Sequence, residues 1–386
     1  MITTEAWVLH RGASDDPPGT SGSLRLEEFT FPDITDTEVL AEPLYGCWEG
    51  NLTHAIQRDP VDICRLRRES RIVLGNSGIV RVLRRGRSVH RLNEGDVCAL
   101  VPIGATDPYG YLTRVLAYDA PGTMGVLAKQ LKLDERQLEP VPANSDAELR
   151  QWAAFSLRYP TAWANWRVAF GAWRLQMPEA VAPHATVLAW GGGVALAELT
   201  LAQAFGCKAI MVASSDERRR LIESLGIAAL DRRAFGGLDY DEVRCTTDRE
   251  FRKRYQAAES AFLGFVREAT ANEMASIVID NIGKPVLRAS LKALARQGVL
   301  TTVGWKCGAD MNVVRAVECQ RRHVHVFTHG ASYEEGLASF RWALEHQWMP
   351  PVSDEVYDWH DVPQLADDFR DGRVRSYFPL FRVNAA

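Results

Sequence analysis

The chain has 386 residues, enough for two or three domains at about 100–200 residues each. Its 46% apolar and 24% charged residues suit ordinary packed cores, which excludes disorder, collagen and coiled coil as descriptions of the whole. A net charge of −4 argues against nucleic acid as the main partner, and seven scattered cysteines do not read as a disulfide framework. They leave free thiols in a reducing compartment, or a metal site built from some of them.

The opening residues carry neither a basic segment nor an apolar stretch of signal-peptide length. No apolar run reaches the roughly 18 residues that span a bilayer. A cytosolic protein with no membrane partner is expected.

Residues 1–155 read as β-rich and turn-punctuated. Thr3 to Leu9, Glu38 to Leu44 and Arg71 to Val82 are β-prone, and Asp15-Asp16-Pro17-Pro18-Gly19 is a breaker cluster. Asn93-Glu94-Gly95-Asp96 forms a turn into the apolar strand Val97 to Val101. Trp152, Trp163, Trp166 and Trp173 recur near helical spacing and are expected to pack in a core. From Ala185 to Val212 the order becomes strand, glycine turn, helix, strand. The pattern continues with a helix at Arg218 to Leu225, a strand at Ser276 to Ile279, a helix at Pro285 to Arg296 and a strand at Val299 to Val303. Alternating elements with continuous apolar strands predict an α/β fold with a parallel sheet covered on both faces. The charged stretch from Asp239 to Ser260 is expected to be a surface helical insertion, and His323 and His325 to be strand residues on alternate faces. The tail predicts a helix at Glu334 to His346 and β-prone segments ending at Tyr377 to Val383, returning to the first domain.

The strongest chemical signal follows Trp190. Gly191, Gly192 and Gly193 lead into a helix opening at about Val194 and Ala195. Glycines permit a tight turn with close backbone approach, while a helix N-terminus offers free N–H groups and a positive dipole end. The strict spacing puts Leu196 at the third glycine; the looser one puts Ala197 there. This is the signature of a Rossmann dinucleotide site. At the end of the second strand, where NAD-binding folds usually place an acid, stand Ala213, Ser214 and Ser215, then Arg218 and Arg219. Hydroxyls and guanidinium groups suit a 2′-phosphate, so NADPH is the expected cofactor, with Asp216 the dissenting residue.

These residues carry a resemblance covering nearly the whole chain. Gly75 to Gly86 with Val82, Glu94-Gly95-Asp96-Val97, Gly125 to Lys129, Thr161-Ala162-Trp163 and Val278 to Gly283 resemble landmarks of the medium-chain dehydrogenase/reductase superfamily. Thr301 to Gly304 through Val326 to Ser332, and the insertion near 239–260, resemble its crotonyl-CoA reductase/carboxylase branch. The resemblance implies a GroES-like β-rich catalytic domain, residues 1–155 and 326–386, around a Rossmann doubly wound sheet, residues 156–325. It implies a homodimer or homotetramer, and hydride delivery from NADPH to the β-carbon of an enoyl thioester carried by CoA or a carrier protein. In carboxylating relatives an asparagine, a Phe-Glu pair and a histidine hold CO2. His329 matches the histidine, Tyr118 and Asp119 fall on the pair, and the asparagine falls at about Gly46, which has no side chain. Reduction without carboxylation is therefore expected.

Zinc-dependent members of the superfamily use a cysteine and a Gly-His-Glu histidine. Cys47 sits near the first position, but the second reads Gly75-Asn76-Ser77, so a zinc-free protein is expected. Without metal, the thioester oxygen needs preorganised donors and the α-carbon an acid. Candidates are Cys47, Glu49, Asn51, His54, Asn76, Tyr118, Asp119 and His329. Gly304 and Trp305 end a Rossmann strand where nicotinamide should lie, with Lys306 beside them. Arg65, Arg67, Arg68, Arg84, Arg85 and Arg87 form either a basic rim for the acyl carrier or a solvated face. Alternative readings are a zinc-free quinone or enone reductase, a reductive carboxylase, and a catalytically degenerate binding protein.

Overall fold

The computed structural model describes the chain except for Ser14, Pro17, Pro18, Ala143, residues 179–183, Trp305, Gly308, Ala309 and Ala386. It divides into two units, Met1–Pro160 with Ser332–Ala386, and Thr161–Ala331.

The chain begins with β1 (Ile2–His10), β2 (Leu24–Phe31) and β3 (Glu38–Cys47), then short helices α1 (Gly50–Gln57) and α2 (Ile63–Arg67). Next come β4 (Arg71–Val73), β5 (Gly78–Arg85), β6 (Val97–Leu100), the hairpin β7 (Ile103–Thr106) and β8 (Leu112–Val115), β9 (Leu131–Asp134) and β10 (Leu138–Pro140). One sheet runs β2-β1-β4; a larger one contains β10-β6-β5-β3, with β9 also on β3. Trp48, Val80, Val126 and Phe381 are among the buried residues of this unit's core.

The expected strand Arg71 to Val82 is interrupted. Gly75 sits at φ +110, a conformation that L side chains rarely adopt. Its carbonyl accepts from Val126 N at 2.9 Å, and that of Leu74 accepts from Leu127 N at 3.1 Å. Leu74 to Ser77 therefore leaves the ladder to pair with another segment, and Asn76 ends fully buried.

Helix α3 (Asp146–Gln176) contains Pro160, which has no N–H for the helix ladder, and the boundary between units falls there. Trp152, Trp163, Trp166 and Trp173 all lie buried on it. Trp152 stacks on Phe340 at 5.8 Å and Trp166 on Phe170 at 4.9 Å, both ordinary packing distances.

The second unit alternates β11 (Thr186–Trp190), α4 (Gly193–Ala204), β12 (Lys208–Ala213), α5 (Asp216–Ser224) and β13 (Ala228–Asp231). Then follow α6 (Glu242–Thr247), α7 (Arg249–Ala269), β14 (Ala275–Asp280), α8 (Lys284–Ala293), β15 (Leu294–Thr302), α9 (Arg315–Arg321) and β16 (Val324–Phe327). The sheet order is β13-β12-β11-β14-β15-β16, parallel throughout. Every residue of β11 is buried, as a central strand covered on both faces requires.

Three expectations are corrected in this unit. The helix expected to reach Arg296 stops at Ala293, because Leu294 already pairs with Ala275 as strand. The charged 239–260 stretch is not a surface insertion throughout. Tyr255, Ala258, Glu259, Phe262 and Val266 recur at helical spacing and are buried, so α7 turns one face into the unit's core. His323 and His325 do not diverge: both rings reach Glu318 Oε2, at 3.0 and 2.9 Å. Residues i and i+2 of an extended chain share a face.

The chain re-enters the first unit with α10 (Tyr333–His346), β17 (Val356–Tyr357), α11 (Val362–Arg370) and β18 (Leu380–Arg382). Ser332 and Glu335 form a capping box on α10. β18 joins the larger sheet against β3, placing Phe381 opposite Gly46. Among the described residues no helix is long and apolar enough to cross a membrane.

One acid is buried in α4. Glu198 is fully covered, accepts from Asn165 Nδ2 at 2.9 Å through Oε2, and leaves Oε1 without a partner. Burial pushes its carboxyl well above the usual range, with the Asn165 bond opposing.

Two outcomes follow. Phe262→Ala, which empties a position 4.8 Å from the Trp190 ring, should cost about 3–5 kcal/mol in denaturant unfolding; a loss within about 0.5 kcal/mol would return α7 to the surface. The fold favours neutral Glu198 while the unfolded chain ionises it in the ordinary carboxylate range, so stability drains as pH rises above that range. Glu198→Gln removes this loss, and its melting temperature relative to the parent should climb between about pH 5 and about pH 8.

Candidate active site

The turn after β11 is set by conformation. Gly191 has φ +137, and a Cβ there would stand 3.1 Å from Asn281 Cβ and 3.4 Å from Ala195 Cβ. At Gly192, the N-cap, a Cβ would meet nothing within 4 Å, so the approach to the helix end is open. α4 begins at Gly193, one residue before the expected Val194. It has no side-chain cap and no acid in its first turn, so the amides of Gly193, Val194 and Ala195 stand at an uncompensated positive dipole end. Such a cradle fits a pyrophosphate. Leu196 and Ala197 are both fully buried on the helix.

Asn281, read in the sequence only as a landmark, belongs to this site. It follows β14, accepts from Val303 N at 3.0 Å through Oδ1, and keeps its buried Nδ2 without a partner. The available signal was an amide residue directly after a central parallel strand. Thr302 Oγ1 donates to the carbonyl of Gly304 at 2.8 Å, closing the turn after β15. Trp305 lies outside the described residues.

At the end of β12, Ser214 is exposed, and Ser215 caps α5 by accepting from Arg218 N at 3.2 Å. Asp216 bonds Arg219 and Arg233, each at 2.5 Å, and these guanidinium groups hold its carboxyl down at about 2. Asp231, at the end of β13, pairs with Arg233 at 2.8 Å and Arg219 at 3.7 Å. The dissenting acid is thus tied into a compact ion-pair cluster.

In the first unit the turn after β3 and the diverted Gly75–Ser77 segment come together, with Cys47 N donating to Ser77 O at 3.0 Å. Glu49 is buried, and its Oε2 accepts from Arg158 Nε at 2.9 Å. Arg158 also donates to the carbonyls of Trp48, at 2.6 Å, and Tyr377. Burial pushes the Glu49 carboxyl up against the pull of Arg158, and pushes the Cys47 thiol far up. Asn76 is 0% exposed, yet neither atom of its amide has a partner, and Glu49 Oε1 and Asn51 Oδ1 are likewise buried and unpartnered. A buried polar group left unpaired costs about 1–3 kcal/mol, and these groups could meet the polar atoms of a ligand. His54, half-buried, lies in the last turn of α1. Arg158 escaped the sequence reading because its partner Glu49 stands far away along the chain.

The remaining candidates lie elsewhere. Asp119 accepts from Val115 N at 2.6 Å and faces Arg114 at 3.6 Å, so its carboxylate closes its own turn. Burial, then Asp119, pushes the neighbouring Tyr118 hydroxyl up to about 12. His329 is exposed just beyond β16, in the second unit. A Cβ at Gly46 would stand 2.2 Å from the Phe381 ring, so no side chain fits there. The arginine rim is largely committed: Arg67 to Glu69 at 2.8 Å, Arg87 to Asp36 at 2.6 Å, Arg65 to Asp62 at 3.5 Å, and Arg84 to Asp33. Among the described residues no three His, Cys, Asp or Glu side chains converge as a metal-binding group.

No family model matches the sequence. Crotonyl-CoA reductase of Streptomyces avermitilis is 25% identical over 304 residues, 74% of this chain and 63% of that protein. The match therefore spans less than two thirds of that relative. A 2-octenoyl-CoA carboxylase reductase in complex with NADP and 2-octenoyl-CoA superposes with TM-score 0.81 at 21% identity, covering 98% of this chain and 87% of that one. A crotonyl-CoA carboxylase/reductase in complex with NADP gives 0.79 at 22%, covering 100% and 95%. An NAD-dependent alcohol dehydrogenase gives 0.74 at 20%, covering 98% and 100%. This chain, with its β-rich unit and its unit built on a six-stranded parallel sheet, therefore shares the fold of these structures.

Proposed function

We propose that this protein reduces the carbon–carbon double bond of an enoyl thioester, carried by CoA or a carrier protein, with NADPH and without carboxylation. The observation that carries the reading is the open, uncapped start of α4 with the unpartnered Asn281 amide, in a fold whose relatives bind NADP and an acyl-CoA. Gly191, Gly192, Gly193, Val194 and Ala195 would hold the pyrophosphate, Ser214, Ser215 and Arg218 the 2′-phosphate end, and Gly304 the nicotinamide end. When bound, NADPH supplies a hydride to the β-carbon.

Hydride gain at that carbon moves negative charge onto the thioester oxygen. Asn76 Nδ2 is the donor assigned to it, because a donor already desolvated needs no reorganisation as charge develops. The acceptors Asn51 Oδ1 and Glu49 Oε1 suit amide N–H groups of the acyl carrier arm. His329 is assigned the proton delivered to the α-carbon, with His54 and Tyr118 orienting the acyl group. Asp119 is spent in its own turn, which argues against a role in holding CO2. Phe381 filling the space at Gly46 supports reduction without carboxylation. A thiol held protonated at Cys47 and a carboxylate already met by Arg158 make poor zinc ligands, which supports chemistry without that metal.

A panel of enoyl-CoA and carrier-protein thioesters, with NADPH followed by absorbance and products weighed with bicarbonate present, tests the reading. Oxidation should depend on the thioester, yield the saturated acyl group with no added CO2, and fall about 10²-fold in Asn76→Ala. Oxidation by simple quinones but not by thioesters would make the protein an enone reductase. A product heavier by one CO2 would make it a carboxylase.

A further inference from the structure

Asn165, on α3, is fully buried and makes three side-chain hydrogen bonds. Its Oδ1 accepts from Thr301 Oγ1 at 2.7 Å and from Thr328 Oγ1 at 2.8 Å. Its Nδ2 donates to Glu198 Oε2 at 2.9 Å. One amide therefore joins α3, the α4 helix that follows the glycine turn, strand β15, and the residue just past β16. Thr301 stands three residues before Gly304, and Thr328 immediately before His329. The backbone of Thr328 is also held, donating to Thr302 O at 3.1 Å.

The chemistry of the network explains why an amide is present. Two hydroxyl donors need one oxygen with two lone pairs, and the carboxyl of Glu198 needs a donor on the other side; Asn supplies both. A leucine would strand two hydroxyls and an acid in a dry interior, and an aspartate would set a second carboxyl beside Glu198.

We propose that Asn165 is a positioning residue: through the Thr328 hydroxyl it fixes the segment carrying His329 to the same buried point that ties down α4 and the strand leading to Gly304. This rests on the assignment of His329 in the preceding section. A reacting group displaced by a fraction of an ångström loses rate steeply, so the anchor acts on turnover rather than on cofactor binding.

The test is Thr328→Val, which keeps the side chain's shape and removes the hydroxyl, leaving Asn165 Oδ1 still bonded by Thr301. Thr328→Ser keeps the hydroxyl and should behave as the parent. In Thr328→Val the melting temperature and the NADPH dissociation constant should stay within about twofold-equivalent changes, while kcat with an enoyl thioester falls about tenfold. The imidazole ¹⁵N–¹H signal of His329, assigned by its loss in His329→Gln, should shift or broaden in Thr328→Val alone. An unchanged His329 signal together with an unchanged kcat would overturn the proposal. If His329→Gln keeps the full rate, the catalytic assignment of His329 fails, and the imidazole signal still decides whether Thr328 positions it.

Discussion

An α-helix cannot bond its first N–H groups internally, and the fold must give them partners or leave them facing solvent. In this protein α5, α7 and α10 meet the requirement with Ser215, Asp248 and Ser332. α4 has no such cap, and it follows the central strand of a parallel sheet through a turn that only glycine at position 191 can make. Two amide side chains of the second unit lie close to this region. Asn281 packs against the turn with a buried N–H to spare, and Asn165 gathers the strands that end nearby. The starts of α8 and α9 also lack a side-chain cap, but the α4 end is the one that follows the Gly191 turn.

The first unit shows the same economy in a different form. Glu49 and Arg158 form a buried ion pair whose guanidinium is further met by two carbonyls, so the charge is satisfied locally. Asn76 beside it is not satisfied at all. Desolvated polar groups of this kind burden the folded state.

What the residues announced in advance was what the backbone dictates locally. The glycine turn, the alternation of strands and helices, and the return of the tail to the first unit follow from conformation, periodicity and element order. What stayed hidden depends on meetings between distant positions. Asn165 reaches Thr301 and Thr328, and Arg158 reaches Glu49, across separations that no motif spans. The break at Gly75 depends on a competing partner at Val126, and the inward face of α7 was masked by the charges between its apolar positions. The role of Asp216 was settled only by Arg233, seventeen residues away.

In the proposed reaction the second unit holds a phosphorylated nicotinamide dinucleotide at the open end of α4. Titrating the purified protein with NADPH and NADH, followed by nicotinamide fluorescence, measures this without any substrate. Saturable binding of NADPH at least about tenfold tighter than NADH, a difference of ~1.4 kcal/mol, is the predicted result. Absence of binding by either nucleotide would contradict it.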